Sequence, residues 1–174
     1  MNYNEFYQES LGNPEAFWQK QSKALPWFKA PSTILSNDAH GYPLWFADGE
    51  TNACYLALDQ HIEAGYGEQT ALIYDSPVTQ TIRQYSFNEV KSEVARLAGG
   101  LLALGLKTGD TAVIYMPMIP QAAFAMLACA RIGVTHSVVF GGFAPHELAI
   151  RNVVCTRNGG MNGSSGGEIG RLIA

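Results

Sequence analysis

An α/β fold built on a parallel sheet is predicted by three features of residues 111–143. Two short β-branched, apolar runs (111–115 and 134–140) bracket a breaker-free helical stretch (121–132). Proline and glycine stand where such a helix starts and stops. Neither run alternates with polar residues, as expected of strands buried on both faces. Thr111-Ala-Val-Ile-Tyr115 is the first run, and Met116-Pro-Met-Ile-Pro120 breaks it. Pro120 suits a first helical turn, and Gly133 follows the last apolar residue, where a left-handed cap is expected. The second run ends at Gly141-Gly142. Strand, crossover helix and strand together make a parallel βαβ unit. The helix is apolar all the way round from Ala122 to Ala130, so it is either buried or spans a membrane. A span needs about 20 uninterrupted apolar residues, whereas Pro120 and Arg131 bound this run; a core helix is expected.

The chain leading to this unit reads as a series of shorter elements. Asn13-Pro14-Glu15 starts a helix through an N-cap, a first-turn proline and an acid that suits the helix dipole. Trp27, Phe28, Trp45 and Phe46 stand among Pro26, Pro31, Gly41 and Pro43, which predicts an irregular arm with aromatic anchors. Asn52 caps a helix over about 53–64, with Tyr55, Leu58 and Ile62 on one face and Gly65-Tyr66-Gly67 at its end. Residues 70–74 and 81–85 read as an antiparallel hairpin around Asp75-Ser-Pro-Val-Thr79. Ser86-Phe-Asn-Glu89 is a capping box, and Phe87, Val90, Val94, Leu97, Leu101 and Leu104 recur at helical spacing before Gly105. Gly99-Gly100 weakens that helix by roughly 1 kcal/mol per glycine against alanine, so close packing on a neighbour is the expected reason for the pair. Residues 152–174 hold Gly159, Gly160, Gly163, Gly166, Gly167 and Gly170 with Ser164-Ser165, a loop composition. Three segments follow: an arm with short helices and aromatic anchors (1–66), a partial α/β core (67–151) and a Gly/Ser-rich tail (152–174).

Composition narrows the function classes. At 174 residues and 47% hydrophobic content the chain should bury a core. Its net charge of -4, from 15 acidic and 11 basic residues with no basic block, argues against nucleic acid or a membrane surface as partner. A small molecule or a protein is the expected partner. Cys54, Cys129 and Cys155 are odd in number and share no CxxC spacing, which fits neither a disulfide framework nor a zinc site. They suit a reducing cytoplasm, and the opening MNYNEFYQES has no secretory pattern.

Single residues mostly favour structural roles. His136 on a strand is expected to be a core histidine, and its spacing to His146 is not that of metal ligands. Asp59 and His61, two apart on a helix, diverge and so do not form an acid/base pair. Residues 159–170 lack the GKS or GKT ending of a phosphate loop and read as linker. Cys129, in an apolar helix, is a packing residue. Taken alone, Gly141-Gly142 is a strand-end turn.

Together, Phe17-Trp18, Trp45-Phe46, Leu58-Asp-Gln-His61, Gly109-Asp-Thr111, the YMPMIP of 115–120, the LACARIG of 127–133 and the HSVVFGGF of 136–143 resemble the N-terminal region of AMP-forming short-chain acyl-CoA synthetases. These are the acetyl- and propionyl-CoA ligases of the adenylate-forming superfamily, and the resemblance covers residues 1–151. It implies the first part of the large N-terminal domain of such a ligase. It also implies a two-step reaction: a carboxylate attacks ATP to give an acyl-adenylate and pyrophosphate, and the CoA thiol then displaces AMP. ATP and magnesium belong to the full-length family. The Ser/Thr/Gly-rich loop ending in lysine, the adenine- and magnesium-binding motifs and the C-terminal domain with the adenylation lysine are absent from these residues. No catalytic residue or metal ligand is therefore assigned, and no turnover is expected of this stretch alone.

What the resemblance carries over is the coenzyme side. The glycine turn Phe140-Gly141-Gly142 corresponds to one that contacts the nucleotide portion of CoA, and Arg171, in Glu168-Ile-Gly-Arg-Leu-Ile-Ala174, to an arginine that binds its phosphates. Residues 152–167, NVVCTRNGGMNGSSGG, depart from the family pattern. The alternative is a non-catalytic module that binds CoA or docks onto a full-length ligase. Open sheet edges give self-association or such docking a route.

Overall fold

The computed structural model describes residues 2–140, 142 and 171–173, and the chain divides into two units, Met1–Thr51 and Asn52–Ala174. The 52–66 segment thus falls within the second unit.

The first unit holds α1 (Tyr3–Gly12), α2 (Pro14–Ser22), β1 (Leu35–Asn37) and β2 (Pro43–Trp45). A capping box opens α1: the Glu5 amide donates to Asn2 Oδ1 and the Asn2 amide to Glu5 Oε2, both at 3.0 Å. Asn13 ends α1 and caps α2 through the Ala16 amide at 3.1 Å, and Pro14 takes the first position, as expected. The predicted irregular arm includes a short antiparallel pair, with Leu35 opposite Trp45. Its aromatic residues pack on one another within the unit. Phe17, 2% exposed, meets Phe6 and Trp18 edge-on; Trp27 leans on Phe46 and Trp18 on Trp45. Asp48 staples the intervening loop by accepting from the Ser32 and Thr33 amides and the Ser32 hydroxyl. The Ser32 contacts, hydroxyl first, lower its pKa to about 2.

In the second unit, Asn52 Oδ1 accepts from the Cys54 and Tyr55 amides at 2.9 and 3.1 Å and so caps the predicted helix. That helix is wider than an ordinary α-helix: Tyr55–Asp59 and Ile62–Tyr66 are π-helical, and Gly65 breaks the second stretch at φ 89°. The widening turns Cys54, Leu58 and Asp59 inward together. The hairpin follows as β3 (Thr70–Ser76) and β4 (Thr81–Ser86), its pairing running on to Ser76 opposite Thr81. The Ser86–Glu89 capping box opens α3 (Phe87–Ala103). Val90, Val94, Ala98 and Leu101 of α3 are buried, whereas Leu104, placed on the apolar face by spacing, is exposed because the helix has ended. Gly99 and Gly100 are exposed and no atom stands within 4 Å of a Cβ built on either. The close packing expected of them is not there: they lie on the solvent side of the stripe through Ala98 and Leu101.

The predicted βαβ unit is present as β5 (Thr111–Met116), α4 (Pro120–Arg131) and β6 (Thr135–Phe140). β5 and β6 are parallel, Thr111 opposite Thr135 through Met116 opposite Phe140. Ala112, Val113 and Ile114 are all buried, as a strand covered on both faces requires. Helix α4 buries Phe124, Ala125, Ala128 and Cys129 but exposes Met126, so it lies on the sheet with one side outward. The tail adds what its composition did not predict: β7 (Arg171–Ile173) pairs parallel with β5 on the side away from β6, Ala112 opposite Arg171. The sheet order is β6-β5-β7. The rest of the predicted tail, with Cys155, lies outside the described residues, as does His146 before it. No helix among the described residues is long and apolar enough to cross a membrane.

Two turns tie this unit together. Gly133 has φ +73°, its carbonyl accepts from the Gly109 amide at 2.9 Å, and a Cβ on it would stand 2.8 Å from Thr108 Cγ2. Replacing it costs both a left-handed conformation and that contact. Gly133→Ala is therefore expected to lower stability by at least about 1–2 kcal/mol. Gly99→Ala, at an open helical position, is expected to raise it by about 0.5–1 kcal/mol. The urea midpoint of each variant checks the opposite signs.

Candidate functional site

In an open parallel sheet, ligands bind outside the carboxyl ends of the strands, at the point where successive connections leave in opposite directions. Here the chain passes from β5 to β6 on one side and then to β7 on the other. The carboxyl ends of these strands are thus the candidate binding edge.

Met116 ends β5 opposite Phe140, so the two strands end side by side. After β5, the Ile119 amide donates to the Pro117 carbonyl at 2.9 Å and the Ala122 amide to the Ile119 carbonyl at 3.0 Å. Ile119 is extended and provides no side-chain cap, and Pro120 has no N–H, so what α4 brings to this edge is the positive end of its dipole. Met118 is exposed. Residues 112–128 contain no Asp, Glu, Lys, Arg, His or Cys. Tyr115 and Gln121 carry the only polar side chains of this stretch.

The sequence-assigned residues fall at two places. Phe140 is the last residue of β6, Gly142 is an exposed turn position, and Gly141 lies outside the described residues. Arg171 opens β7 opposite Ala112, four positions before Met116 along β5. At a strand rise of about 3.3 Å per residue its backbone stands roughly 13 Å back from the edge. Phe140 and Gly142 share the edge; the backbone of Arg171 does not join them there.

The one buried charged cluster among the described residues was not foreseen. Asp59, 6% exposed, lies between two cations: Arg131 Nη2 stands 2.6 Å from Asp59 Oδ2 and Lys91 Nζ 2.8 Å from Oδ1. Burial by itself pushes the Asp59 carboxyl up; its hydrogen bonds to Lys91 and Arg131 and their charges outweigh that and hold it below the ordinary carboxylate value. Arg131 is held above its ordinary value by the same pairing, against its own burial. Asn52 Nδ2 completes the cluster by donating to the carbonyls of Ala130 and Arg131 at 3.0 and 3.1 Å. The expectation that Asp59 and His61 form no pair agrees with these contacts: His61 turns to the Phe87 ring. The legible signal was that Asp59 and Arg131 both sit in motifs quoted above, although 72 positions separate them.

The remaining titratable candidates are passive. His136 is half-buried on β6, which lowers its pKa and keeps the imidazole neutral. Burial raises the thiols of Cys54 and Cys129, both free, and so suppresses the reactive thiolate. Among the described residues no group of three His, Cys, Asp or Glu side chains is placed to hold a metal ion.

Comparison with known proteins adds family matches. The profile of the AMP-binding enzyme family matches residues 59–155, and that of the acetyl-coenzyme A synthetase N-terminus matches residues 3–57. An uncharacterized protein of Pseudomonas aeruginosa is 55% identical over 99% of this chain and 28% of its own length. The mitochondrial acyl-CoA synthetase short-chain family member 3 of Rattus norvegicus is 50% identical over 86% of this chain and 22% of its own. Among solved structures, acetoacetyl-CoA synthetase from Streptomyces lividans superposes with a TM-score of 0.79 at 24% identity, over 90% of this chain and 24% of that one. This likeness shows a shared fold. The chain spans about a quarter of the length of these proteins.

The depressed Asp59 pKa fixes the sign of its acid response. Its stabilisation is complete above the ordinary value of 3.8 and is lost as pH falls through the lower folded value. Asp59→Asn is expected to cost about 2–3 kcal/mol at neutral pH, below the full 3–5 kcal/mol of a fully buried pair because Arg131 and Lys91 keep some solvent contact. It should also flatten the fall in stability as pH drops below the ordinary carboxylate value; denaturant melts at neutral and acid pH measure both effects. Alkylation mapped by mass spectrometry is expected to leave Cys54 and Cys129 unmodified in the native chain and to label both once it is unfolded.

Proposed function

Since this chain belongs to the AMP-binding enzyme family and corresponds to the N-terminal region of its short-chain acyl-CoA synthetases, we propose that it is the coenzyme-facing part of an AMP-forming acetyl- or propionyl-CoA synthetase. In that reaction a carboxylate oxygen attacks the α-phosphorus of ATP and pyrophosphate leaves. The CoA sulfur then attacks the acyl carbon and AMP leaves. The share taken by these residues is binding. Phe140, Gly141 and Gly142 lie against the nucleotide portion of CoA, where glycine lets the backbone approach a bulky anion, and Arg171 engages its phosphates.

The observation that carries this reading is the position of the Phe140–Gly142 turn at the carboxyl edge of the parallel sheet, beside the uncapped start of α4. The absence of charged residues from 112–128 fits a binding role for the edge. Neither adenylation nor thiolation is expected of these residues alone, because no lysine-ending phosphate loop is among them. The magnesium that accompanies ATP in the family is expected to be held elsewhere, with the ATP phosphates. The reading includes a cytoplasmic, reducing compartment, in keeping with the free thiols of Cys54 and Cys129. The alternative is a non-catalytic module that binds CoA or docks onto a full-length ligase; exposed Ile73, Ile82 and Val138 favour such docking or self-association.

ATP–pyrophosphate exchange with acetate and propionate, run beside thermal melting with and without CoA, tests the proposal. No exchange is expected, while CoA at a hundred times its Kd should raise the Tm by about 5–10 °C. Gly142→Val should abolish the shift. Measurable exchange would overturn the binding-only assignment, and an unchanged Tm would remove CoA from this edge.

A further inference from the structure

One end of α4 stands at the binding edge, and the other is tied down far more tightly. Twelve residues at 1.5 Å each make α4 a rod of about 18 Å. At its carboxyl end Asn52 Nδ2 donates to the carbonyls of Ala130 and Arg131, and Arg131 Nη2 donates to Asp59 Oδ2. Lys91 holds the other oxygen of Asp59 from α3. Asn52 also caps the helix that carries Asp59, so the two partners of the Asp59–Arg131 pair are fixed to each other at a second point. At its amino end α4 has no side-chain cap, and Met118 just before it is exposed. Between the ends, Phe124 is buried edge-on against Tyr85 and Pro120 is buried at the first turn, while Ala122, Ala123, Ala125, Ala128 and Ala130 give the rest of α4 shallow ridges. Shallow ridges grip a neighbour less than large side chains do. The axial position of α4, and with it the Met118–Pro120 turn at the edge, therefore rests on the Phe124 contact and on what grips its carboxyl end.

We propose that Asp59 is a positioning residue for the binding edge: it fixes α4 along its axis and so places the turn after β5 at the carboxyl end of the sheet, next to the end of β6 at Phe140. Its consequence for CoA rests on the function proposed above; its consequence for α4 does not. Asp59→Asn removes the charge and leaves Arg131, whose Nε is already buried without a partner, with a weakened second contact. Asp59→Glu keeps the charge and tests whether geometry can be recovered.

The test compares the 174-residue chain with Asp59→Asn, Asp59→Glu, Lys91→Met and Val94→Ala. Val94, fully buried on α3, serves as a destabilised control away from the cluster. Amide hydrogen exchange of residues 117–123 should quicken about tenfold in Asp59→Asn beyond the change in Val94→Ala at matched loss of Tm. It should quicken less in Lys91→Met and recover in part in Asp59→Glu. CoA titration should show Kd weakened about fivefold to tenfold in Asp59→Asn and unchanged in Val94→Ala. Exchange at 117–123 that only tracks Tm in every variant would overturn the proposal and leave Asp59 a purely structural residue. If Asp59→Asn does not fold, Lys91→Met decides by the same exchange comparison. A wild-type chain that ignores CoA would defeat the function reading, while the exchange result would still decide the role of Asp59.

Discussion

The second unit is built around a carboxylate taken out of water. Removing an ion of this size from solvent costs several kcal/mol even after the surroundings relax, roughly as much as one good partner returns. Asp59 meets that penalty with two partners, Lys91 from α3 and Arg131 from α4. The geometry this requires brings three helical segments to one point. The π-helical widening at Tyr55–Asp59 belongs to the same arrangement: it faces Asp59 inward beside Leu58 and Cys54, whereas an ordinary helical pitch would spread those residues over a wider arc. A hydrophobic residue could fill the space, but it would not select Arg131 as its neighbour and so would not set the register between these helices.

From that fixed point the βαβ unit follows by chain geometry. Parallel strands need a crossover, and the crossover helix must lie on the sheet. Once the carboxyl end of α4 is held, its amino end and the carboxyl ends of β5 and β6 share one edge. That edge has a helix start with no side-chain cap and no charged side chain over residues 112–128. The order β6-β5-β7 puts the connections on either side of β5, the arrangement in which strand ends of an open parallel sheet can receive a ligand.

The first unit is held by different means. It has little regular structure to bury, and its cohesion comes from aromatic residues leaning on one another and from side chains closing backbone loops. The Trp27 indole donates to the Ser22 carbonyl at 2.8 Å, and its ring fills the space where a Cβ on Gly49 would stand. Helix α1 buries none of its residues, yet the Asn2–Glu5 capping box and the helical spacing of Tyr3, Phe6, Tyr7 and Leu11 were both present in the sequence as its signal.

What the sequence by itself determined is whatever depends on neighbours within a few residues. Capping boxes, first-turn prolines and left-handed glycines act on adjacent dihedral angles, so Asn13-Pro14, Ser86–Glu89, Pro120 and Gly133 mark their elements directly. Strand and helix periods placed β3, β4, α3, β5, α4 and β6 for the same reason. Tertiary structure alone decided which distant groups meet: Asp59 with Arg131 and Lys91, β7 on the far side of β5, and Arg171 set back from the glycine turn. It also decided that Gly99 and Gly100 face solvent, although their spacing is equally compatible with tight packing. Local signals constrain dihedral angles one residue at a time. Pairings across tens of residues are chosen by the packing and desolvation of the whole unit, and a linear pattern does not encode them.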